Sequence, residues 1–412
     1  MSRRLFSAMA AASLAALGVA AAGGALAQNQ EPISIKIGVL NDRAGLYSDV
    51  TGEGSAVAAR MAVEDFRAAE KGMKVEVIVG DHQNKPDVGS TIARQWIDQD
   101  GVDVIADVPT SSVGLAVNEV VREKNRIYLN SGTGSSDLTG KHCSPNTVHW
   151  TYDTAALANG TAKAMIQRGG DTWFFITADY AFGQALERDA SNVIKASGGK
   201  VLGSVKHPLN NADFSSQLLQ AQGSKAKVVA LANAGGDTIN AVKQAGEFGL
   251  AQGGQSLAGL LIFSSDIHSL GVKAAQDLVL TEAFYWDLND RTRDFSKRFA
   301  ERFGGKMPTS VHAGVYGSIL HYLKAVESLK SKDPQKVMAR MKEMPIDDPL
   351  VGKGYIRPDG RAIHDMYLFE VKKPEESKGE WDLYRLLATI PGEQAFRPME
   401  EGGCPLVSRN KG

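Results

Sequence analysis

Hydrophobic positions recur along this chain in two alternating rhythms. Short runs rich in Val, Ile and Leu, bounded by Gly, Asn, Asp or Pro, give way to longer Ala-rich segments with apolar residues three and four apart. The first rhythm suits buried strands and the second amphipathic helices, so their alternation predicts βαβ units around largely parallel sheets. Strands are expected over 33–40, 74–79, 102–107 and 126–130, with helices over 55–69, 86–99 and 112–123 between them. A second series repeats the scheme: helix 155–167, strand 172–177, helix 183–196, strand 199–205, helix 213–222, strand 227–231, helix 237–248 and strand 260–263. Helices over 290–303, 310–328 and 334–342 follow, then a hairpin-like stretch over 354–370 around the turn Pro358-Asp359-Gly360. The expected fold class is α/β, with two doubly wound parallel-sheet lobes.

The segment ahead of the first strand changes the picture of compartment. Arg3 and Arg4 precede an apolar, Ala-rich stretch, and Ala25-Leu26-Ala27 has the small-x-small form of a cleavage site, so residues 1–27 read as a cleaved secretory signal. Ser2-Arg3-Arg4-Leu5-Phe6 also resembles a twin-arginine motif, which leaves the export route open. Neither cysteine, Cys143 or Cys404, lies near the cleavage point, so a free periplasmic protein without a lipid anchor is expected. In an oxidising compartment the two are candidates for a disulfide, if the fold returns its C-terminus to the first lobe; two free thiols are the alternative.

With 412 residues, 43% of them hydrophobic, and 46 basic against 47 acidic side chains, the chain has ample material for two domains and no basic run for nucleic acid. Past residue 27 no apolar run approaches membrane-spanning length. No cofactor or metal is expected. A Walker loop, a Gly-x-Ser-x-Gly elbow, a His-Glu-x-x-His pair and a CxxC pair are all missing. The sharpest enzyme reading, a hydrolase built on Ser112, Asp266 and His268, has no motif behind it.

The opening unit carries the most specific signal. A β-rich run, 33–40, empties into the loop 41–54, where Gly45-Leu46-Tyr47 leads to Gly52, and a helix carrying Ala62-Val63-Glu64-Asp65 follows. This unit resembles the start of the type I periplasmic solute-binding proteins of ABC transporters, the leucine/isoleucine/valine-binding branch. That resemblance implies two lobes joined by a multi-strand hinge. The lobes would be 28–150 with 287–345 returning to it, and 151–286 with 346–392 returning to it, ahead of a C-terminal strap over 393–412.

Candidate ligand contacts follow strand ends, where open α/β sheets bind ligands. Asp107-Val-Pro-Thr-Ser-Ser112 is a hydroxyl-rich turn at a helix start, where open amides and the helix dipole suit a carboxylate, and Ser111 and Ser112 are placed there. Ser131, Gly132, Thr133 and Gly134, after the next strand, offer hydroxyl donors and close backbone approach. The resemblance implies a second set of carboxylate contacts from this loop. It also implies that Tyr180, in Asp179-Tyr-Ala-Phe-Gly183, closes over the ligand, and that Asp266 holds the ammonium of an amino acid. Tyr47 and Trp150 are further aromatic walls. The reading is a receptor that closes two lobes on a small carboxylate ligand and hands it to an ABC-type inner-membrane permease. The ligand expected first is a branched-chain or other amino acid. An aromatic acid of the benzoate or hydroxycinnamate type stays open, because Phe284, Tyr285 and Trp286 enrich the aromatic supply, and so does a ligand-sensing regulator.

Overall fold

Strand alternation decides how the first half folds. In the computed structural model, which describes residues 31–408, β1 (Ile33–Asn41), β2 (Met73–Asp81), β3 (Val104–Asp107), β4 (Ile127–Asn130) and β5 (Thr147–His149) form a parallel sheet ordered β2-β1-β3-β4-β5. Val104, Ala106, Ile127 and Leu129 point to one face and pack with α1 (Gly52–Phe66), whereas Ile105 and Tyr128 point to the other and meet α2 (Pro86–Asp98) and α3 (Ser111–Glu123). A period of two with both faces covered is what a buried parallel sheet requires.

The same logic builds the second sheet. After α4 (Thr154–Leu157), a π turn (Ala158–Ala162) and α5 (Lys163–Gln167), the chain lays down β6 (Thr172–Ala178), α6 (Ala181–Ala196), β7 (Lys200–His207), α7 (Ser215–Ser224), β8 (Val228–Ala232), α8 (Gly236–Glu247) and β9 (Ser256–Gly259). These strands are parallel in the order β7-β6-β8-β9, with Trp173 and Phe175 facing one core and Phe174 and Ile176 the other. The helix expected over 155–167 is broken by its π turn, where Gly160 meets β10 (Val279–Glu282): a Cβ on Gly160 would lie 2.1 Å from Thr281 Oγ1.

The strand expected over 260–263 is irregular. β9 ends at Gly259, and Leu260 to Phe263 run buried into α9 (Ser264–Leu270), whose start is fixed by Asp266 accepting from the Phe263 amide at 2.9 Å. Beyond α10 (Val272–Ala275) and β10, helices α11 (Asp290–Arg302), α12 (Ser310–Leu329) and α13 (Pro334–Glu343) pack on the first sheet's core. The following segment differs from the expected return to the second lobe. In β11 (Ile346–Asp348), β12 (Gly352–Ile356) and β13 (Ala362–Ile363), residues Ile346, Ile356 and Ala362 join the first core, and Arg361 bridges to His149 beside β5. Only β14 (Met366–Val371) pairs, antiparallel, with β10, and β15 (Tyr384–Ile390) pairs antiparallel with β14 on its other side. Core membership shifts between Trp150 and Tyr152, between Ala283 and Phe284, and between Ala362 and Ile363, while Tyr47, Val50 and Val311 reach from first-core segments into the second core.

Cys143 and Cys404 are disulfide-bonded, with Cα atoms 5.6 Å apart, and fasten the C-terminal segment to the loop after β4. Residues 1–27, read as a secretory signal, lie outside the described residues.

Candidate ligand-binding site

Each parallel sheet has one place where chain order reverses: β1 lies between β2 and β3, and β6 lies between β7 and β8. Loops leaving such a pair of strands diverge to opposite faces and leave a crevice at the strands' carboxyl ends. Here the two crevices face each other. From the first come Tyr47 after β1, Pro109, Thr110 and Ser111 after β3, and Gly132 and Gly134 after β4; from the second come Tyr180 and Phe182 after β6, Ala234 after β8, and Leu261 and Phe263 after β9. With Val50, Thr51, Tyr152 and Val311 they line one small cavity. Tyr47 Oη and Tyr180 Oη meet at 2.7 Å across the two lobes.

The turn entering α3 is strained. Asp107, Val108 and Thr110 have φ of 78°, 54° and 69°, a left-handed region that non-glycine residues enter at a cost and that clusters at functional sites. Neighbours hold it there: Thr133 Oγ1 donates to the Val108 carbonyl at 2.7 Å, the Gly132 amide donates to the Asp107 carbonyl at 3.1 Å, and the Val108 amide donates to the Leu40 carbonyl at 3.0 Å. Thr110 makes no side-chain cap to the helix, because its hydroxyl donates to Asn84 Oδ1. The Val113 and Gly114 amides donate to the Thr110 carbonyl at 2.8 and 3.0 Å, so the amides that α3 offers beside the cavity, at the positive end of the helix dipole, are those of Ser111 and Ser112. Ser111 Oγ accepts from the Ser135 amide at 3.1 Å, so its own proton is free to donate into the cavity.

Gly132 and Gly134 are required by contact. A Cβ on Gly132 would lie 2.7 Å from the Pro109 nitrogen, and one on Gly134 would lie 2.8 Å from the Phe182 ring and 3.0 Å from the Tyr152 ring. Their carbonyls are occupied, by Tyr152 Oη at 3.1 Å and by the Thr154 amide at 2.8 Å. With those carbonyls each holding a partner, the donors this wall offers are the Ser111 hydroxyl and the amides at the start of α3.

The opposite walls are rings: Tyr47, Tyr152, Tyr180, Phe182 and Phe263. Burial raises the phenols of Tyr47, Tyr152 and Tyr180 well above their ordinary range, which keeps them neutral. Among the described residues that line the cavity there is no Asp, Glu, Lys, Arg or His.

Of the residues singled out from sequence, Tyr47, Ser111, Gly132, Gly134 and Tyr180 line this cavity and five do not. Ser112 lies one position deeper in α3. Ser131 Oγ is spent on Thr151 and the Val311 carbonyl, both at 2.7 Å, and Thr133 braces the strained turn. Trp150 is fully buried in the first core beside His321, 5.4 Å between ring centroids. Asp266 is buried behind Phe263, committed to that residue's amide, and burial lifts its carboxyl to about 7. Tyr152, Phe182 and Phe263 escaped sequence reasoning. Phe182 sat inside the motif already singled out, but nothing in the sequence distinguishes an aromatic facing a cleft from one facing a core.

Comparison with known proteins agrees with this architecture. The family model described as periplasmic binding protein matches residues 34–380. A crystal structure of a periplasmic binding protein from Burkholderia mallei is 51% identical, with a TM-score of 0.88 over 90% of this chain and 99% of that one. A branched-chain amino acid ABC transporter periplasmic ligand-binding protein from Burkholderia xenovorans LB400 is 39% identical, with a TM-score of 0.81 and the same coverage. A Leu/Ile/Val-binding protein homolog from Brucella melitensis is 27% identical over 330 residues, 76% of this chain and 82% of its own length. A solute-binding protein from R. palustris in complex with benzoate, 19% identical over 90% of this chain and 100% of its own, shares the fold at a TM-score of 0.79. Two parallel-sheet lobes closing on one cavity, and a family match across most of the chain, make this a member of the periplasmic binding protein family.

Proposed function

We propose that the protein is the periplasmic receptor of an ABC-type importer and that it closes its lobes on a small aromatic monocarboxylate. One observation carries the choice of ligand: five rings and a wall of donors line the cavity, and no acidic side chain does. A carboxylate fits the open amides at the start of α3 and the Ser111 hydroxyl, where charge-assisted hydrogen bonds replace its water. An apolar ring fits the aromatic walls.

The runner-up is a branched-chain amino acid, favoured by the described role of the Burkholderia xenovorans relative. Its ammonium would be desolvated with no counter-charge on the lining, a cost of several kcal/mol. Asp266, the residue expected to supply that charge, is turned to the Phe263 amide instead.

Export to the periplasm through the leader over 1–27, and delivery to an inner-membrane permease, belong to the same reading. No helix among the described residues is long and apolar enough to cross a membrane. Mass spectrometry of ligand released from purified protein by mild denaturation tests the choice. An aromatic acid is expected, and leucine, isoleucine or valine released instead would overturn it.

A further inference from the structure

Asp107 closes the first crevice from below. Its carboxyl is fully buried at the end of β3, and its Oδ2 accepts from Asn41 Nδ2 at 3.1 Å. Its Oδ1 has no hydrogen-bond partner among the described residues. That oxygen abuts Gly132, a residue of the cavity wall, where a Cβ would lie only 2.8 Å from it. One glycine therefore separates a buried carboxyl from the wall on which the ligand carboxylate is read to sit.

The surroundings hold nothing to neutralise a charge there. β1 contributes Asn41, α1 contributes Ser55, and the titratable groups that sense Asp107 are Tyr128 on β4 and Tyr152 at the first crossover, both phenols raised by burial. No ion pair among the described residues involves Asp107, and Asn41 and Ser55 only temper a carboxyl that burial lifts to about 7. Two carboxylates a few ångströms apart in a water-poor site do not both stay ionised; one keeps its proton.

We propose that Asp107 is a proton-linked positioning residue: binding of an anionic ligand draws a proton onto Asp107, so that the receptor takes up the acid as anion plus proton. The inference rests on the carboxylate reading above. Its balance is simple, one proton from solvent to an Asp107 oxygen per anion bound, with no bond to the ligand made or broken. Affinity then holds below about pH 7 and weakens up to about tenfold per pH unit above it, because the free protein must first regain the proton.

Calorimetry in paired buffers of different ionisation heat counts that proton, with benzoate, 4-hydroxybenzoate and leucine as probes. For whichever probe binds, uptake is expected to be small near about pH 6 and to approach one proton per ligand near about pH 8.5. Asp107→Asn should bind with an affinity flat across that range and without uptake. Carbon-13 NMR of aspartate carboxyls in the wild type gives a reading that does not depend on the variant's folding: one resonance should titrate near neutrality and shift to higher pH when the probe is added. Binding without uptake, or uptake that persists in Asp107→Asn, would overturn the proton linkage and leave the carboxylate receptor standing. Binding by leucine alone, with uptake, would overturn the aromatic reading and keep the linkage. Failure of all three probes would remove the carboxylate seat and the linkage together.

Discussion

Two residues, Ser111 and Asp266, separate what the sequence displayed from what it hid. Ser111 follows a buried-type strand and starts a helix, a placement legible from the strand–turn–helix order, and it lines the cavity. Ser111→Ala should weaken benzoate binding about 10- to 100-fold, since a charge-assisted bond of roughly 1.5–3 kcal/mol is lost; calorimetry showing an unchanged Kd would take Ser111 out of the site. Asp266 looked equally exposed to the cleft, yet it is buried and caps its own helix. Sequence spacing cannot reveal which way a side chain turns once its strand ends early, as β9 does at Gly259. Asp266→Asn, which keeps an acceptor for the Phe263 amide, should leave benzoate affinity within about threefold, and a loss comparable to that of Ser111→Ala would return Asp266 to the ligand.

At the scale of elements, the period-two runs and their helices were legible because a doubly wound sheet buries both faces of each strand. The pieces that were not legible are those whose form is imposed from outside. β5, β10 and β15 are short or half-exposed, and the π turn at Ala158–Ala162 exists where Thr281 of β10 presses on Gly160. Contact of the same kind joins α3 to the loop after β4. A Cβ on Gly114 would lie 1.7 Å from Thr133 Oγ1, the hydroxyl that braces the strained turn at Val108. Gly114→Ala should therefore cost about 1–3 kcal/mol of stability by overpacking and weaken ligand binding as well, because the loop that carries Gly132 and Gly134 must shift. A variant with wild-type melting temperature and affinity would show that this contact does not hold the seat.

For the whole molecule, buried titratable groups set a dependence on pH that the sequence could not announce. Burial raises Asp107 and Asp266 to about 7, Glu282 to about 8, and Asp237 and Asp348 to about 6. A carboxyl raised above its unfolded value contributes stability that is complete below that value and is lost as pH climbs through the folded one. Buried His82 and His312, lowered to about 4, act in the opposite sense: what they contribute is lost as pH falls below the ordinary histidine value of about 6.5. Between about pH 6.5 and 8 the carboxyls act alone, so the melting temperature of ligand-free protein should rise as pH is lowered from 8 to about 6.5, below which the histidines begin to oppose them. A scanning-calorimetry series with the opposite slope above 6.5 would contradict this assignment. Removing the Cys143–Cys404 bridge by double Ser substitution should also lower the melting temperature, since it closes a loop spanning 261 positions, which chain-entropy arguments value at about 5 kcal/mol.

The central claim is that two lobes meet around a donor wall and five rings to hold an aromatic carboxylate. Titration calorimetry of the mature protein with 4-hydroxybenzoate and with leucine, under identical buffer, tests it most directly. The expected result is a roughly micromolar or tighter Kd for the aromatic acid, about −8 kcal/mol, and no measurable heat for leucine. Micromolar leucine binding with no response to the aromatic acid would contradict it.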